Sequence, residues 1–424
     1  MIKIMNLEKD GAWIDRLLGR SQLNLEDVNR SVEQIILNVQ SLGDTALIDY
    51  TKTFDHVTLE SFRVKQETID LAFQRIDPKL LSYLKTAQQN IEAYHQKQQI
   101  ESFRIEKADG SIIGQIVRPI QTVGIYVPGG TASYPSTVLM NAIPAKIAGV
   151  QKIVMITPPS ASGIKDSILV AAKIAGVDEI YTVGGAQGIA ALAYGTNQIP
   201  KVDKIVGPGN IYVAVAKRMV SGYVGIDMVA GPSEIAILAD ETANPEWVAA
   251  DMMSQAEHDR LSAAILVTTS DALAVAVKNA ITRQIETLSR KEIIQSSLSN
   301  FGGIIVTDSI DKGIDMINRI APEHLEIITK DPMIVANHIT NAGAIFIGPY
   351  TPEPVGDYFA GPNHTLPTSG TARFQSALST LDFVKKTSLV YYSEQALKRD
   401  RQAIVGLAIE EDLTAHAHAI NIRF

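Results

Sequence analysis

The sequence predicts an α/β protein built from two doubly wound units. Three observations carry this expectation. Between residues 122 and 240 short β-rich runs alternate with Ala-rich runs of helical spacing, and the alternation resumes between 263 and 348. A chain of 424 residues also exceeds what one core usually holds, which points to two or three units.

Taken in order, residues 1–103 are mostly helical in pattern. Residues 25–37 place apolar side chains at helical spacing, and 65–94 continue in that style with a break at Pro78. This part reads as support. Runs at 105–107 and 112–117 flank Asp109-Gly110, a strong hairpin signal.

The alternating region then offers strands at Thr122-Val-Gly-Ile-Tyr-Val127, Lys152-Ile-Val-Met-Ile-Thr157, Glu179-Ile-Tyr-Thr-Val183, Lys204-Ile-Val206 and Ile235-Ala-Ile-Leu238. Helical runs lie between them at 135–148, 164–175, 188–194 and 211–219. Such alternation implies a parallel sheet, with ligands beyond the carboxyl ends of its strands.

Glycine-rich loops flank most of these strands: Tyr126-Val-Pro-Gly-Gly130, Gly184-Gly-Ala-Gln-Gly188, Gly207-Pro-Gly-Asn210 and Ala230-Gly-Pro-Ser-Glu234. One such loop is ordinary turn chemistry; four in one unit suggest backbone brought close to an anion or cofactor. The G-x-G-x-x-G and Walker patterns are absent, so a dinucleotide would bind in a non-standard way.

Further on, Ala263-Ala-Ile-Leu-Val-Thr268, Gly303-Ile-Ile-Val-Thr307 and Gly343-Ala-Ile-Phe-Ile-Gly348 read as strands of a second α/β unit. A long irregular segment follows at 349–369, and the chain is helical again from 395.

Composition narrows the function. Net charge is −8 and no basic block occurs, which disfavours nucleic acid as a partner. Neither a leader pattern at the first residues nor an apolar run of spanning length is present, so a cytoplasmic protein without a membrane role is expected. Cysteine is absent, so a metal must be held by nitrogen and oxygen, and aldehyde chemistry must proceed without a thiohemiacetal.

Four stretches carry groups suited to one metal-dependent centre. Residues 247–259 read as one amphipathic helix, on which Gln255 and His258 stand three apart and converge on one side. Glu323 and His324 join a carboxylate to an imidazole, a pairing suited to removing several protons, although an exposed helix end after Pro322 explains the spacing equally well. Asp357 in Gly356-Asp-Tyr offers an oxygen ligand for a zinc-like ion, and His416 lies near the C-terminus. Of the eight histidines, His56, His95 and His338 read as surface or satisfied core residues.

Seven motifs then occur in the order found in histidinol dehydrogenases. They are Gly124-Ile-Tyr-Val-Pro-Gly-Gly130, Gly207-Pro-Gly-Asn210, Ala230-Gly-Pro-Ser-Glu234, Gln255-Ala-Glu-His258, Ala321-Pro-Glu-His-Leu-Glu326, Gly356-Asp-Tyr-Phe-Ala-Gly-Pro-Asn-His364 and Leu413-Thr-Ala-His416. The chain resembles that family over nearly its whole length.

The resemblance implies oxidation of L-histidinol through the aldehyde to L-histidine, with two NAD and one Zn2+ per subunit, as the last step of histidine biosynthesis. It implies two incomplete Rossmann-like domains with small helical arms. Their limits would be 1–22 for the N-terminal arm, 23–125 with 235–378 for the domain of the metal and acid-base residues, 126–234 for the NAD domain, and 379–424 for a dimer-forming arm.

By the same resemblance Gln255, His258, Asp357 and His416 are metal ligands, and Glu323 and His324 are the acid-base pair. Ser233, His364 and Glu411 contact substrate alongside Gln255, His258, His324, Asp357 and His416, while Tyr126, Gln187 and Asn210 contact NAD. His416 and Glu411 would complete the site of a partner subunit in a homodimer. The competing expectations are a zinc-dependent dehydrogenase of a related amino alcohol, or a zinc hydrolase using Glu323; against the latter stand the glycine-rich rim and the lack of an H-E-x-x-H helix.

Overall fold

The computed structural model describes residues 2–11, 14, 26–129 and 134–424. The expected N-terminal arm at 1–22, the first residue of the run at 25–37, and Gly130 fall wholly or partly outside them.

Two parallel sheets organise the chain. One has six strands in the spatial order Lys3–Asn6, Gly303–Val306, Ala263–Thr268, Glu234–Ala239, His324–Ile328 and Ala344–Ile347. Its four inner strands are buried throughout, as their nearly continuous apolar sequences require when helices cover both faces. Residues 235–238, which alternation attached to the preceding unit, pair here with Ala263–Thr268 and His324–Ile328. Periodicity identifies a strand and cannot say which sheet it joins.

The other sheet runs Glu179–Thr182, Lys152–Thr157, Thr122–Tyr126, Lys204–Val206 and Gly225–Ile226, again all parallel. Numbered along the chain this is 3-2-1-4-5, the doubly wound order whose direction reverses beside the first strand.

The helices before residue 97 belong with this second sheet. Glu26–Leu42 packs on Gly185–Tyr194 and Ile211–Val220, Gln66–Arg75 on Asp166–Ile174, and Pro78–Gln96 on Pro135–Ile147. Ile35, Leu47, Phe62, Leu84 and Ile91 share cores with the five-stranded unit, whereas the six-stranded sheet shares its cores with Ile2, Met5 and Ile14. The expected grouping of 23–125 with 235–378 is therefore not the one that apolar packing makes. Both helical spans were legible, but each amphipathic face could have found either sheet.

The two arms also hold more than helix. Lys3–Asn6 is an edge strand, and Val384–Tyr391 pairs along its whole length with Ile112–Pro119, itself paired with Phe103–Glu106 in the expected hairpin. Helices Glu394–Glu410 and Thr414–Asn421 complete the C-terminal arm. No helix among the described residues is long and apolar enough to cross a membrane.

Candidate active site

Two places draw the expected residues together. The first is the amino edge of the six-stranded sheet. Helix Ile310–Ile320 ends at Ala321 in left-handed backbone, φ 50°, so Glu323 and His324 leave the helix and begin a buried strand. An exposed helix end is thereby ruled out: Glu323 is 6% exposed and His324 4%.

One neighbouring residue fixes both side chains. The Glu234 backbone N–H donates to Glu323 Oε2 at 2.9 Å, and His324 Nδ1 donates to the Glu234 carbonyl at 3.0 Å. With Nδ1 committed as donor, the neutral ring keeps its lone pair on Nε2. That atom is buried without a hydrogen-bond partner, 3.7 Å from Asp357 Oδ1 and 3.9 Å from Glu353 Oε1. The two carboxylates favour a proton on this nitrogen, which becomes an acceptor once they are engaged elsewhere.

Asp357 comes from a short helix, Glu353–Tyr358, inside the segment expected to be irregular. Glu353 starts this helix, and its N–H donates to Glu326 Oε1 at 2.8 Å. His324, Glu353 and Asp357 bring one ligand atom each to within 4.8 Å of one another, the one such group among the described residues. Burial pushes Glu323 up to about 8 and Glu353 up to about 9. For His324 burial alone would lower the pKa, but Glu323, Asp357 and Glu353 outweigh it and push it up to about 10. Burial would raise Asp357, yet the nearby His324 and His364 rings hold it well below the usual carboxylate range.

Gln255 and His258 come from the helix that follows the central strand, with His258 within electrostatic reach of Asp357 and His324. That helix is Pro245–Ala256, so His258 lies two residues beyond its end and not on the same helix. Its N–H still donates to the Gln255 carbonyl at 3.2 Å, a tightened last turn that keeps the two residues together. Gln255 is fully buried with both amide atoms unpartnered. An amide left so is costly unless a ligand engages it. His258 keeps an exposed surface, while lost solvation of its ring lowers its pKa against the pull of Asp357. The unpartnered Gln255 oxygen, the His258 ring and the ionised Asp357 are nitrogen and oxygen donors of the kind zinc accepts, though His258 does not join the close group of His324, Glu353 and Asp357.

Ser233 immediately precedes Glu234 on the same edge. His364 donates from Nδ1 to the Asp357 carbonyl at 3.0 Å, and its Nε2 meets Thr137 Oγ1 at 3.3 Å. His416 and Glu411 stand apart from the group: both are exposed on the C-terminal arm. His95, expected to be a surface or satisfied core residue, is buried with Nδ1 bonded to the Ile91 carbonyl.

Sequence reasoning missed Glu353, Glu326 and Asp251. Glu326 is 1% exposed in a strand that is apolar apart from it and His324, and its carboxyl meets that of Asp251; burial raises both, Asp251 to about 6. An acid inside an apolar strand was the available signal for Glu326. Nothing in the spacing marked the others.

The second place is a cavity of about 860 Å³ at the carboxyl edge of the five-stranded sheet, within the usual range for small-molecule sites. Tyr126, Gln187 and Asn210 all line it. Tyr126 ends the first strand, and its hydroxyl accepts from the Gly185 N–H at 3.2 Å. Asn210 caps helix Ile211–Val220, its Oδ1 accepting from Tyr212 and Val213, while its amide N–H groups make no hydrogen bond among the described residues. Gly207, at φ 111°, lets this loop pass the Tyr126 carbonyl, which any Cβ would strike. Buried Lys217 pins the loop: it pairs with Asp227 and donates to the Gly207 carbonyl at 2.9 Å, while Asp227 accepts from the Gly207 N–H at 2.8 Å. Pro128 and Gly129 border the cavity, and Thr137 reaches His364, so the start of helix Pro135–Ile147 links the two places.

The carboxyl-edge rule thus describes the cavity but not the acid-base group. Helix Pro245–Ala256 runs back antiparallel to the strand before it, which returns Gln255 to the amino edge beside Glu323 and His324.

Residues 18–424 match the family model described as histidinol dehydrogenase. The histidinol dehydrogenase of Clostridium acetobutylicum is 55% identical over the whole of both chains, and that of Bacillus cereus 57% identical over 94% of this chain and 93% of its own. A crystal structure of histidinol dehydrogenase from Elizabethkingia anophelis, 39% identical, superposes with a TM-score of 0.93 over 100% of this chain and 98% of that one.

Proposed function

Because the chain belongs to the histidinol dehydrogenase family, we propose that the amino-edge group oxidises L-histidinol to L-histidine through the aldehyde in two hydride transfers, in the cytoplasm. The observation that carries the reading is His324 Nε2, a buried base with its other nitrogen fixed as donor, beside the Glu323 carboxyl.

NAD in the cavity lined by Tyr126, Gln187 and Asn210 would supply the hydride acceptor. Gln255, His258, Asp357 and the partner subunit's His416 would hold zinc, which templates the imidazole and amino nitrogens of the substrate. Asp357 engaged in this way pulls less on the His324 proton and frees the ring to act as a base.

His324 takes the hydroxyl proton as hydride leaves the alcohol carbon. For the second transfer Glu323 takes a proton from the water that hydrates the aldehyde; with no thiol in the chain, the hydrate is the route open. Ser233 and His364, at the rim of the same group, orient the substrate.

NADH formation from L-histidinol tests the reading, measured on the protein as purified, after chelation, and after zinc is restored. We expect about two NADH per histidinol, loss of activity on chelation and its return with zinc. Full activity in the chelated protein overturns the zinc assignment, and no NADH from metallated protein overturns the dehydrogenase reading.

The arm supports a shared site. Tyr391, Leu407, Ile409 and Ile422 are exposed apolar residues on it, with Leu407 69% and Ile422 68% exposed, and such a surface calls for a partner. In the proposed homodimer Glu411 and His416 reach the neighbour's substrate and metal. Mixing inactive His324→Asn and His416→Ala proteins tests this, because a mixed dimer with shared sites regains one intact site. Activity that stays at zero after subunit exchange has been verified sinks the shared-site idea.

A further inference from the structure

The cavity takes in residues from outside its sheet: Ser31, Ile35, Phe54 and Asp55 come from the N-terminal helices. Asp55 is unusual among them. It ends a π-helical turn, Thr51–Asp55, which is closed by His56 in left-handed backbone at φ 56°. Single π turns re-aim a side chain and cluster at functional sites. Asp55 Oδ2 is buried without any hydrogen-bond partner. The carboxylate is also close enough to the Tyr126 phenol to act on it electrostatically, which places it at the reversal point of the sheet.

A doubly wound unit of this strand order usually carries an acidic side chain after its second strand, where it accepts from the ribose hydroxyls of a dinucleotide. Here the second strand, Lys152–Thr157, runs into Pro158-Pro-Ser-Ala-Ser-Gly163, which contains no acid. The cavity nevertheless holds a carboxylate, delivered from another part of the chain.

We propose that Asp55 accepts hydrogen bonds from a ribose diol of the bound dinucleotide and selects NAD over its 2′-phosphorylated form. The inference rests on reading the cavity as the dinucleotide site. A buried carboxylate oxygen without a donor gains two hydroxyl donors from a diol, whereas a 2′-phosphate removes one of them and adds like charge. Lys165 also lines the cavity and forms no ion pair among the described residues, so it is available to the pyrophosphate.

The test is calorimetric binding of ADP-ribose and 2′-phospho-ADP-ribose to the full chain, in the wild type and in Asp55→Asn, Asp55→Ala and Gln187→Ala. The wild type should favour ADP-ribose by at least about 30-fold, and Asp55→Ala should weaken ADP-ribose by about 10-fold or more. Asp55→Asn, which keeps the shape and removes the charge, should narrow the preference to within about 3-fold. A wild type that prefers the phosphorylated ligand, with Lys165 drawing the extra phosphate, overturns the proposal. If Gln187→Ala weakens ADP-ribose while both Asp55 variants match the wild type, the cavity is the dinucleotide site and Asp55 does not read the ribose. If no variant changes binding, the reading of the cavity itself fails.

Discussion

His324→Asn should slow oxidation of histidinol by about a hundred- to ten-thousand-fold, the usual worth of a positioned general base. Asparagine is the informative replacement. Its amide nitrogen sits where Nδ1 does and can still donate to the Glu234 carbonyl, so the strand edge stays anchored while the acceptor at the Nε2 position disappears. The loss should fall on kcat, with a much smaller change in KM, because the base acts in the transition state and the binding groups around it remain. Supplied with the aldehyde, the variant should lose far less, since the alcohol proton has already gone. Steady-state kinetics with each substrate check this. A variant equally slow on both, or one whose loss lies wholly in KM, makes His324 a binding residue and removes it as the base of the first transfer.

The sequence made the chemistry more legible than its location. Glu323 and His324 were recognisable from adjacency, and Gln255 and His258 from spacing, because each pair is local in the chain. What no local pattern contained was the frame around them. The Glu234 backbone that fixes both acid-base groups is 89 and 90 residues away, and its role follows from parallel pairing of two strands. Glu353 joins the group only because a six-residue helix forms in a segment rich in Pro and Gly, where periodicity has too few turns to register. The same limit explains Asp55, which looked like part of an ordinary helical support. Fold class was readable from alternation, yet the assignment of helices 26–96 to one sheet depended on which apolar faces meet, and either sheet could have taken them.

Glu323→Gln should leave the first hydride transfer nearly intact and slow the second by about a hundred- to ten-thousand-fold. Glutamine keeps an oxygen for the Glu234 N–H, so the bond at 2.9 Å survives, but it cannot take a proton from water. The early yield should then fall from about two NADH per histidinol toward one, with aldehyde accumulating or released. This is the reverse of the His324→Asn pattern, and the crossed pair separates two bases from one shared function. The wild type adds a second check. Burial pushes Glu323 up to about 8, and only the ionised carboxylate can act as base, so aldehyde oxidation should rise with pH until that group has ionised and fall as it is protonated. A divalent cation held nearby favours the ionised form, which sets the midpoint of the metallated enzyme at or below that value. The Glu323→Gln protein should lack this limb altogether. If it retains both the limb and the full NADH yield, another group hydrates the aldehyde, and the buried Glu323 serves only to hold the strand edge.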